Sequence, residues 1–387
     1  MREDKLTHLT EGISTPRRFT RSLGVRAPRP ALRVPSVVAA SFVLALVLSL
    51  VLSGCSTATN TATPRRSASV AWVATGSYMS QPGDTVTPVN VNTGQPGRPL
   101  GTGRLPSGIA VTPNGAELLV TNTGDDTLAV VNLATKKVVA RVPVGLEPDS
   151  VAVAPGRNGS PPTALVTNFG ANTVTPVNLS TLRAARPVPV GSQPDAIAVA
   201  SGGPANSGVA LVADFASGQV TPIDLATMQP QPPIGVGAEP DAIAAYGTNE
   251  PSPTSGSRSS QLAHGTGEIA LVANFGSNTI SPISLATATA APQIGLPGDP
   301  TGIAVAPNGT AWVSNSGFIT PIQTPTLTVG NSLALSGVAE GVAIAPGART
   351  AWVTLQNGVV TCVSLANGAV EHSVSVGGRP STVVITS

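Results

Sequence analysis

A unit of sequence that recurs seven times between residues 69 and 387 constrains the fold of this chain more than any other feature. Each copy contains an apolar triplet, and successive triplets begin 47, 46, 46, 60, 41 and 40 residues apart. The triplets occupy residues 71–73, 118–120, 164–166, 210–212, 270–272, 311–313 and 351–353. Such a period is typical of an array of small units, each of which buries its apolar face against its neighbours.

Each unit contains four short apolar segments that are rich in Val, Ile and Thr and are separated by Gly, Pro, Asn and Asp. These features indicate strands, and no segment keeps the 3.6-residue period of a helix. Essentially no helix is therefore expected after residue 54. Four strands in each unit predict an all-β fold, a seven-bladed β-propeller of four-stranded antiparallel blades. We name the strands a to d from the central axis outward.

Strand a carries a small residue at one place in six of the seven units, where blades converge on the axis and leave little room. These residues are Ala110, Ala152, Ala198, Ala244, Ala304 and Ala343, and Val384 occupies the place in the seventh unit. The first unit, near Ser69, begins with strand b, and the chain from Pro380 onward supplies a lone strand a. We predict that this C-terminal strand pairs with the N-terminal strands and closes the ring.

Proline occurs in strand c of five units, although proline cannot donate a hydrogen bond to a β-ladder. The residues are Pro88, Pro176, Pro222, Pro282 and Pro321. We predict that the missing N–H faces strand d and that the outer edge of these blades is short and loosely paired.

The N-terminal segment has the pattern of an export signal. An apolar run at residues 37–52 follows a basic segment, and Leu52-Ser53-Gly54-Cys55 comes directly after it. This ending resembles the lipobox of bacterial lipoproteins, which implies cleavage before Cys55 and acylation of that cysteine. The mature protein would then lie on the extracytoplasmic face of the bacterial cell membrane, held by its lipid. The alternative is an uncleaved signal anchor.

These patterns divide the chain into three parts: a lipoprotein signal peptide at 1–54, a Ser/Thr-rich tether at 55–68 and the propeller at 69–387. A disordered insertion is expected at about 247–267, within the propeller. The net charge of +2 divides accordingly. Residues 1–54 hold eight basic and three acidic side chains, so 13 of the 21 basic and 16 of the 19 acidic residues remain, a net charge of −3. This net negative charge argues against nucleic-acid binding, and so does the lack of a sequence patch that combines basic and aromatic residues.

Two of the repeats carry a motif found in a known class of propellers. Residues 119–122 read Leu-Val-Thr-Asn and residues 165–168 repeat it, with weaker copies at 272–274 and 313–315. Together with the Gly-x-x-Pro signals and the Pro-Asn-Gly turns at 113–115 and 307–309, they resemble the YVTN repeat of bacterial surface and YncE-like β-propellers. The resemblance covers residues 69–387 and implies the architecture rather than an activity. The motif asparagines, Asn122, Asn168, Asn274 and Asn315, are expected to form turns.

Two sets of repeated side chains are the candidate ligand-binding residues. Asp149, Asp195 and Asp241 follow proline at the start of strand a in three consecutive units. Phe169, Phe215 and Phe275 lie in the b–c loops of three consecutive units. The b–c and d–a loops of a propeller share one face, so an acidic arc beside an aromatic arc could bind a cation, a cationic ligand, a sugar or a peptide. Alternatively, the Asp residues cap turns and the Phe residues pack between blades.

Signals for catalysis are few. Residues 55–387 contain two histidines, His264 and His372, and the chain has no calcium-binding loop motif. We therefore predict no catalytic residue, no metal and no cofactor, and we expect Cys362 to be a buried free thiol. The leading hypothesis is a membrane-anchored module that binds a small molecule, a glycan or a protein, or acts as a scaffold. The alternatives are a lactonase-like metal-dependent hydrolase, with the three Asp as candidate ligands, and a nucleic-acid-binding YncE-like propeller.

Overall fold

The computed structural model describes residues 69–76, 83–156, 159–200, 208–246, 269–324 and 326–386. The chain divides into two compact units, 1–61 and 62–387, and every described residue belongs to the second. The predicted signal peptide, the tether with Cys55 and the insertion at 247–267 lie outside the described residues. Within the described ranges, no helix is long and apolar enough to cross a membrane.

The second unit is a seven-bladed β-propeller, as the repeat predicts, and each blade is an antiparallel sheet with the strand order a-b-c-d. From blade 1 to blade 7, the strands a are Arg379–Thr386, Pro106–Val111, Pro148–Ala154, Pro194–Ala200, Pro240–Tyr246, Pro300–Val305 and Ala339–Ile344. The strands b are Val70–Gly76, Glu117–Asn122, Thr163–Asn168, Val209–Asp214, Ile269–Asn274, Thr310–Asn315 and Thr350–Leu355. The strands c are Thr85–Asn90, Thr127–Asn132, Thr173–Asn178, Gln219–Asp224, Thr279–Ser284, Phe318–Gln323 and Val359–Ser364.

The outer strands d are shorter and less regular. Blades 1, 2 and 7 each have one, at Leu100–Gly101, Lys137–Pro143 and Val370–Ser375. Blades 3 to 6 each have two short pieces: Arg183–Ala184 and Val188–Pro189, Gln229–Pro230 and Ile234–Gly235, Thr289–Ala290 and Ile294–Gly295, and Thr328–Val329 and Leu333–Ala334. The described helical structure consists of one-turn 3-10 helices in two b–c turns, Phe215–Ser217 and Phe275–Ser277.

The C-terminal strand closes the ring, as predicted. Arg379–Thr386 pairs antiparallel with Val70–Gly76 and becomes strand a of blade 1. Seven hydrophobic clusters fill the seven spaces between neighbouring blades, and the clusters on both sides of blade 1 include residues of the C-terminal strand. Every described blade is therefore packed on both faces, and all described sheets and clusters lie within residues 70–386.

One layer of paired residues in each blade increases in side-chain size from strand a to strand b. The small residue of strand a stands opposite Leu or Trp of strand b, for example Ala152 opposite Leu165, and Leu165 stands opposite Pro176 of strand c. In blade 1 the same layer is Val384, Trp72 and Pro88. All seven small residues of strand a are at most 3% exposed. Small inner and large outer residues suit wedge-shaped blades, because the space between blades widens away from the axis.

The strand c prolines face strand d, as predicted, and they interrupt it. In blades 3 to 6 the two pieces of strand d pair on either side of the proline, and in each of the five blades the proline carbonyl accepts an N–H from the outer segment. Where Val130 or Cys362 replaces proline, strand d is continuous and carries a β-bulge. The missing proline N–H is thus the physical cause of the short outer edge.

Candidate functional site

The first residue after the proline that opens each strand a points into a central cavity of about 160 Å³. In blade 7, Ala339 takes the place of the proline. From blade 1 to blade 7 these residues are Ser381, Ser107, Asp149, Asp195, Asp241, Thr301 and Glu340, and all seven are half-buried. We call them the lumen ring. Its three Asp members were predicted from the sequence. Four further members occupy the same place in the repeat and were not predicted: Ser107, Thr301, Glu340 and Ser381.

The three predicted Asp residues form a hydrogen-bonded chain of carboxyl groups. Asp195 is in the middle and shares hydrogen bonds with Asp149 and Asp241. Burial raises the pKa of Asp195 well above its usual value, and the charges of both neighbours add to the effect. Burial, together with the charges of Asp149 and Glu340, raises the pKa of Asp241 to about 8. Like charges at close range favour shared protons, so this part of the ring holds protons at neutral pH.

The remaining contacts of the ring are hydrogen bonds and an ion pair with neighbouring side chains and backbone carbonyls. Burial raises the pKa of Asp149, while a hydrogen bond from the Ser107 hydroxyl partly offsets that effect. Glu340 forms an ion pair with Arg379, the first residue of strand a in the adjacent blade 1. The hydroxyl groups of Thr301 and Ser381 donate to backbone carbonyls of the next blade, at 3.0 Å in each case. The ring therefore has an acidic side, in blades 3 to 5, and a hydroxyl side.

The threonine of the YVTN-like motif positions the backbone of the lumen ring. The Thr121 hydroxyl accepts the N–H of Gly108 at 2.7 Å and donates to the carbonyl of Asp149, in the next blade, at 2.6 Å. Thr167 and Thr354 make the same pair of bonds, to the carbonyls of Asp195 and Ser381. A motif side chain on strand b thus links two adjacent blades at the cavity, which the motif alone did not reveal.

The motif asparagines do more than form turns. Asn168 is fully buried at the end of strand b, and its Nδ2 donates to the hydroxyls of Thr173 and Thr175 at 3.0 and 2.8 Å. Its Oδ1 accepts the N–H of Gly145 at 3.0 Å. The turn assignment therefore needs correction, because these side chains are buried cross-links between strands.

Blade 4 has Asp214 where the motif has asparagine. Burial raises the pKa of this carboxyl to about 6, although the Thr221 hydroxyl donates to it at 2.6 Å. A carboxylate thus occupies a buried place that suits a neutral amide.

The predicted aromatic residues lie on the same face as the mouth of the cavity, but they do not line it. Phe169 and Phe215 contact each other, with ring centroids 6.5 Å apart, which agrees with packing between blades. Phe275 is 36% exposed, and Phe318 of the next blade is 39% exposed. The acidic and aromatic arcs are therefore neighbours on one face rather than walls of a single pocket.

The backbone of two acidic residues in the d–a loops, Glu147 and Glu239, connects the two arcs. The backbone N–H of Phe169 donates to the carbonyl of Glu147 at 2.9 Å, and that of Phe275 donates to Glu239 at 2.8 Å. The charge of Glu239 also contributes to the raised pKa of Asp241. Negative charge thus extends from the cavity to the Phe-bearing turns.

The described residues do not fit a metal centre. They contain no group of three His, Cys, Asp or Glu side chains arranged to hold one metal ion. Cys362 is a buried free thiol, as predicted, and burial raises its pKa to about 11.

No protein family model matches the chain, and no curated protein matches it. Solved structures do. A protein of unknown function from Desulfotomaculum acetoxidans is 14% identical, with a TM-score of 0.65 over 82% of this chain and 98% of that chain. A protein from Bacteroides fragilis described as a candidate 6-phosphogluconolactonase is 13% identical, with a TM-score of 0.62 over 83% and 99%.

A third similar structure is Kuenenia stuttgartiensis hydrazine synthase, which is 20% identical, with a TM-score of 0.54 over 67% of this chain and 76% of that chain. At these identities the similarity establishes the propeller fold and carries no activity to this chain.

Proposed function

We propose that this protein is a membrane-anchored, extracytoplasmic propeller that binds a ligand or a protein partner at the face formed by the b–c and d–a loops. The observation that supports this proposal best is the lumen ring, because all seven blades contribute one polar side chain to a single cavity. Convergent polar groups in a concave site are the usual basis of ligand binding. The YVTN-like motif and the lipobox resemblance supply the proposed family and address.

The chemistry of the ring favours a cationic group as the part of the ligand that enters. A cavity of about 160 Å³ has room for about five water molecules, which suits an ammonium or guanidinium group with a few carbons. Burial raises the pKa of Asp149, Asp195 and Asp241, which favours their protonated forms. A bound cation would replace those protons, so binding should release protons to solvent.

The rim of the same face also carries exposed apolar side chains, which suits a protein partner. Leu146 and Val338 in the d–a loops are 59% and 42% exposed, and they share this face with Phe275 and Phe318. Exposed apolar side chains around a polar cavity are typical of interaction sites. A partner segment with a Lys or Arg side chain flanked by apolar residues would match both features.

Arginine amide is the probe for the cavity. We expect it to raise the unfolding temperature of residues 69–387 and to release protons, measured by calorimetry in two buffers of different ionisation enthalpy. Asp195→Asn should weaken binding at least about tenfold, because it removes the central carboxyl of the chain. Asp299→Asn is the matched control, since Asp299 lies in a d–a loop on the same face but outside the cavity.

Equal binding of arginine amide to the Asp195→Asn and Asp299→Asn variants, or no binding to the wild type, would contradict the proposal of a cationic ligand. A thermal shift with divalent metal ions that depends on Asp195, together with lactone hydrolysis, would favour the hydrolase instead. A shift with single-stranded DNA would favour the nucleic-acid alternative.

The membrane anchor has its own test. Cys55→Ser should leave the chain unacylated and unprocessed, so that it keeps residues 1–54, because the modified sulfur is gone. Intact mass and membrane fractionation measure both effects. The control is Cys362→Ser, which changes the other cysteine of the chain. It should leave signal-peptide cleavage, acylation and membrane retention unchanged. A Cys55→Ser chain that is still cleaved and retained would refute lipidation.

A further inference from the structure

Part of the outer wall of the propeller carries most of the described positive charge. Nine Lys and Arg residues fall within the described ranges, and six of them lie in strand d or the c–d turn of blades 1, 2 and 3. These six are Arg98, Lys136, Lys137, Arg141, Arg183 and Arg186, and we call them the basic wall. Residues 90–101, 132–144 and 178–190, which form these outer segments, contain no Asp or Glu.

The side chains of the basic wall are exposed and form no ion pair with an acidic side chain among the described residues. All six are exposed to solvent. The ion pair found among the described residues joins Arg379 and Glu340 on the face of the lumen ring, away from this wall. Arg141 donates from Nε to the carbonyl of Thr102 at 2.8 Å. The charges of the wall are therefore available to an external anion.

The wall is continuous and partly apolar. Arg98 and Lys136 line one groove of about 420 Å³ between the outer strands of blades 1 and 2. The outer strand of blade 2 contacts that of blade 3. Val139, the extra residue of the β-bulge, is 52% exposed between Lys137 and Arg141. An apolar side chain among cations is typical of surfaces that meet a membrane interface.

The rest of the outer wall differs. The outer segments of blades 4, 5 and 6, at residues 225–236, 285–296 and 326–335, contain no charged residue. Residues 55–387 have a net charge of −3, so the basic wall opposes the overall sign of the protein. A local excess on one side gives an anionic surface a defined place to bind.

We propose that the basic wall docks on the anionic phosphate headgroups of the membrane, a proposal that rests on the proposed anchor at Cys55. Only 14 residues separate Cys55 from Val70, where blade 1 begins, and a chain of that length spans at most about 50 Å. Anionic headgroups are therefore the polyanion within reach. The outer segments of the wall contain no Phe, Tyr or Trp on which nucleic-acid bases could stack, which favours lipid over nucleic acid.

The chain offers a selective chemical probe of this wall. Lys136 and Lys137 are the only lysines in residues 55–387. In the mature protein, reconstituted into vesicles, an amine-acylating reagent therefore reports on the basic wall alone among side chains. We expect labelling of these lysines to be at least about tenfold slower in phosphatidylglycerol vesicles than in phosphatidylcholine vesicles, and 0.5 M salt to remove the difference.

Two double variants keep both lysines. They distinguish an effect of the basic wall from an effect of the protein's overall net charge. Arg98→Gln with Arg183→Gln should weaken docking about 30-fold and abolish the protection, since each basic side chain near an anionic surface contributes a factor of about five. The control, Arg104→Gln with Arg349→Gln, removes the same charge outside the wall and should keep the protection.

Equal labelling in both kinds of vesicle, or equal loss of protection in both double variants, would overturn docking. If the protein does not remain bound to phosphatidylcholine vesicles, the proposed lipid anchor at Cys55 is contradicted instead. Docking of the basic wall would then be measured by retention of the protein on phosphatidylglycerol vesicles. Protection of the lysines by single-stranded DNA at the same phosphate concentration would overturn the assignment to lipid.

Discussion

Removal of residues 380–387 is expected to unfold the whole propeller. This segment supplies nearly all of strand a of blade 1, and Val383, Val384 and Ile385 are at most 6% exposed. Its side chains belong to the clusters on both sides of the blade, so the deletion opens the ring as well as removing buried surface. Three buried aliphatic side chains alone contribute about 6 kcal/mol, which is comparable with the total stability of a typical domain.

Thermal unfolding followed by circular dichroism measures the effect, and we expect no cooperative transition for the truncated chain. Val384→Ala is the matched control, because six blades have alanine at that place. It should lose about 1–2 kcal/mol and still unfold cooperatively. A truncated chain with a transition near the wild-type temperature would disprove the closure as the source of stability.

The stability of the propeller is expected to fall as pH rises from about 4 to 8. Asp214 and Asp241 have pKa values of about 6 and about 8 in the folded protein, both above the value of 3.8 expected when unfolded. The folded state therefore binds more protons than the unfolded state across this range. Stability is greatest below about pH 4 for these groups and is lost as pH rises through each folded pKa. By pH 8 the loss is about 3 kcal/mol for Asp214 and about 5 kcal/mol for Asp241, whose pKa is raised further.

Two substitutions should divide this pH dependence. Asp214→Asn restores the amide of the other blades and should remove the part of the loss between pH 4 and pH 6. Asp241→Asn should remove much of the part that extends to pH 8. Urea unfolding at pH 4, 6 and 8 measures both. The control is Glu371→Gln, at an exposed place on the outer strand of blade 7, which should leave the slope unchanged. Wild-type stability that is constant or rises from pH 4 to 8 would contradict the prediction.

The sequence predicted the candidate site in part. The Asp residues at 149, 195 and 241 were recognisable because proline and aspartate recur together in three units. Glu340 was not, since Ala339 replaces the proline before it, and the Ser and Thr members of the ring lack the acidic signal. Counting to the residue after the proline at the start of each strand a could have found Ser107, Thr301 and Ser381.

The sequence alone determined the number of blades, the strand order, the closing strand and the interrupted outer edge. These features follow from periodicity and from the missing N–H of proline, which are local properties of the chain. Only the tertiary structure decided that residues 39 to 60 positions apart meet around one cavity, that three of its carboxyls share protons, and that six basic side chains gather on one side of the propeller. Proton sharing and charge clustering depend on distance and burial in space, which sequence spacing does not encode.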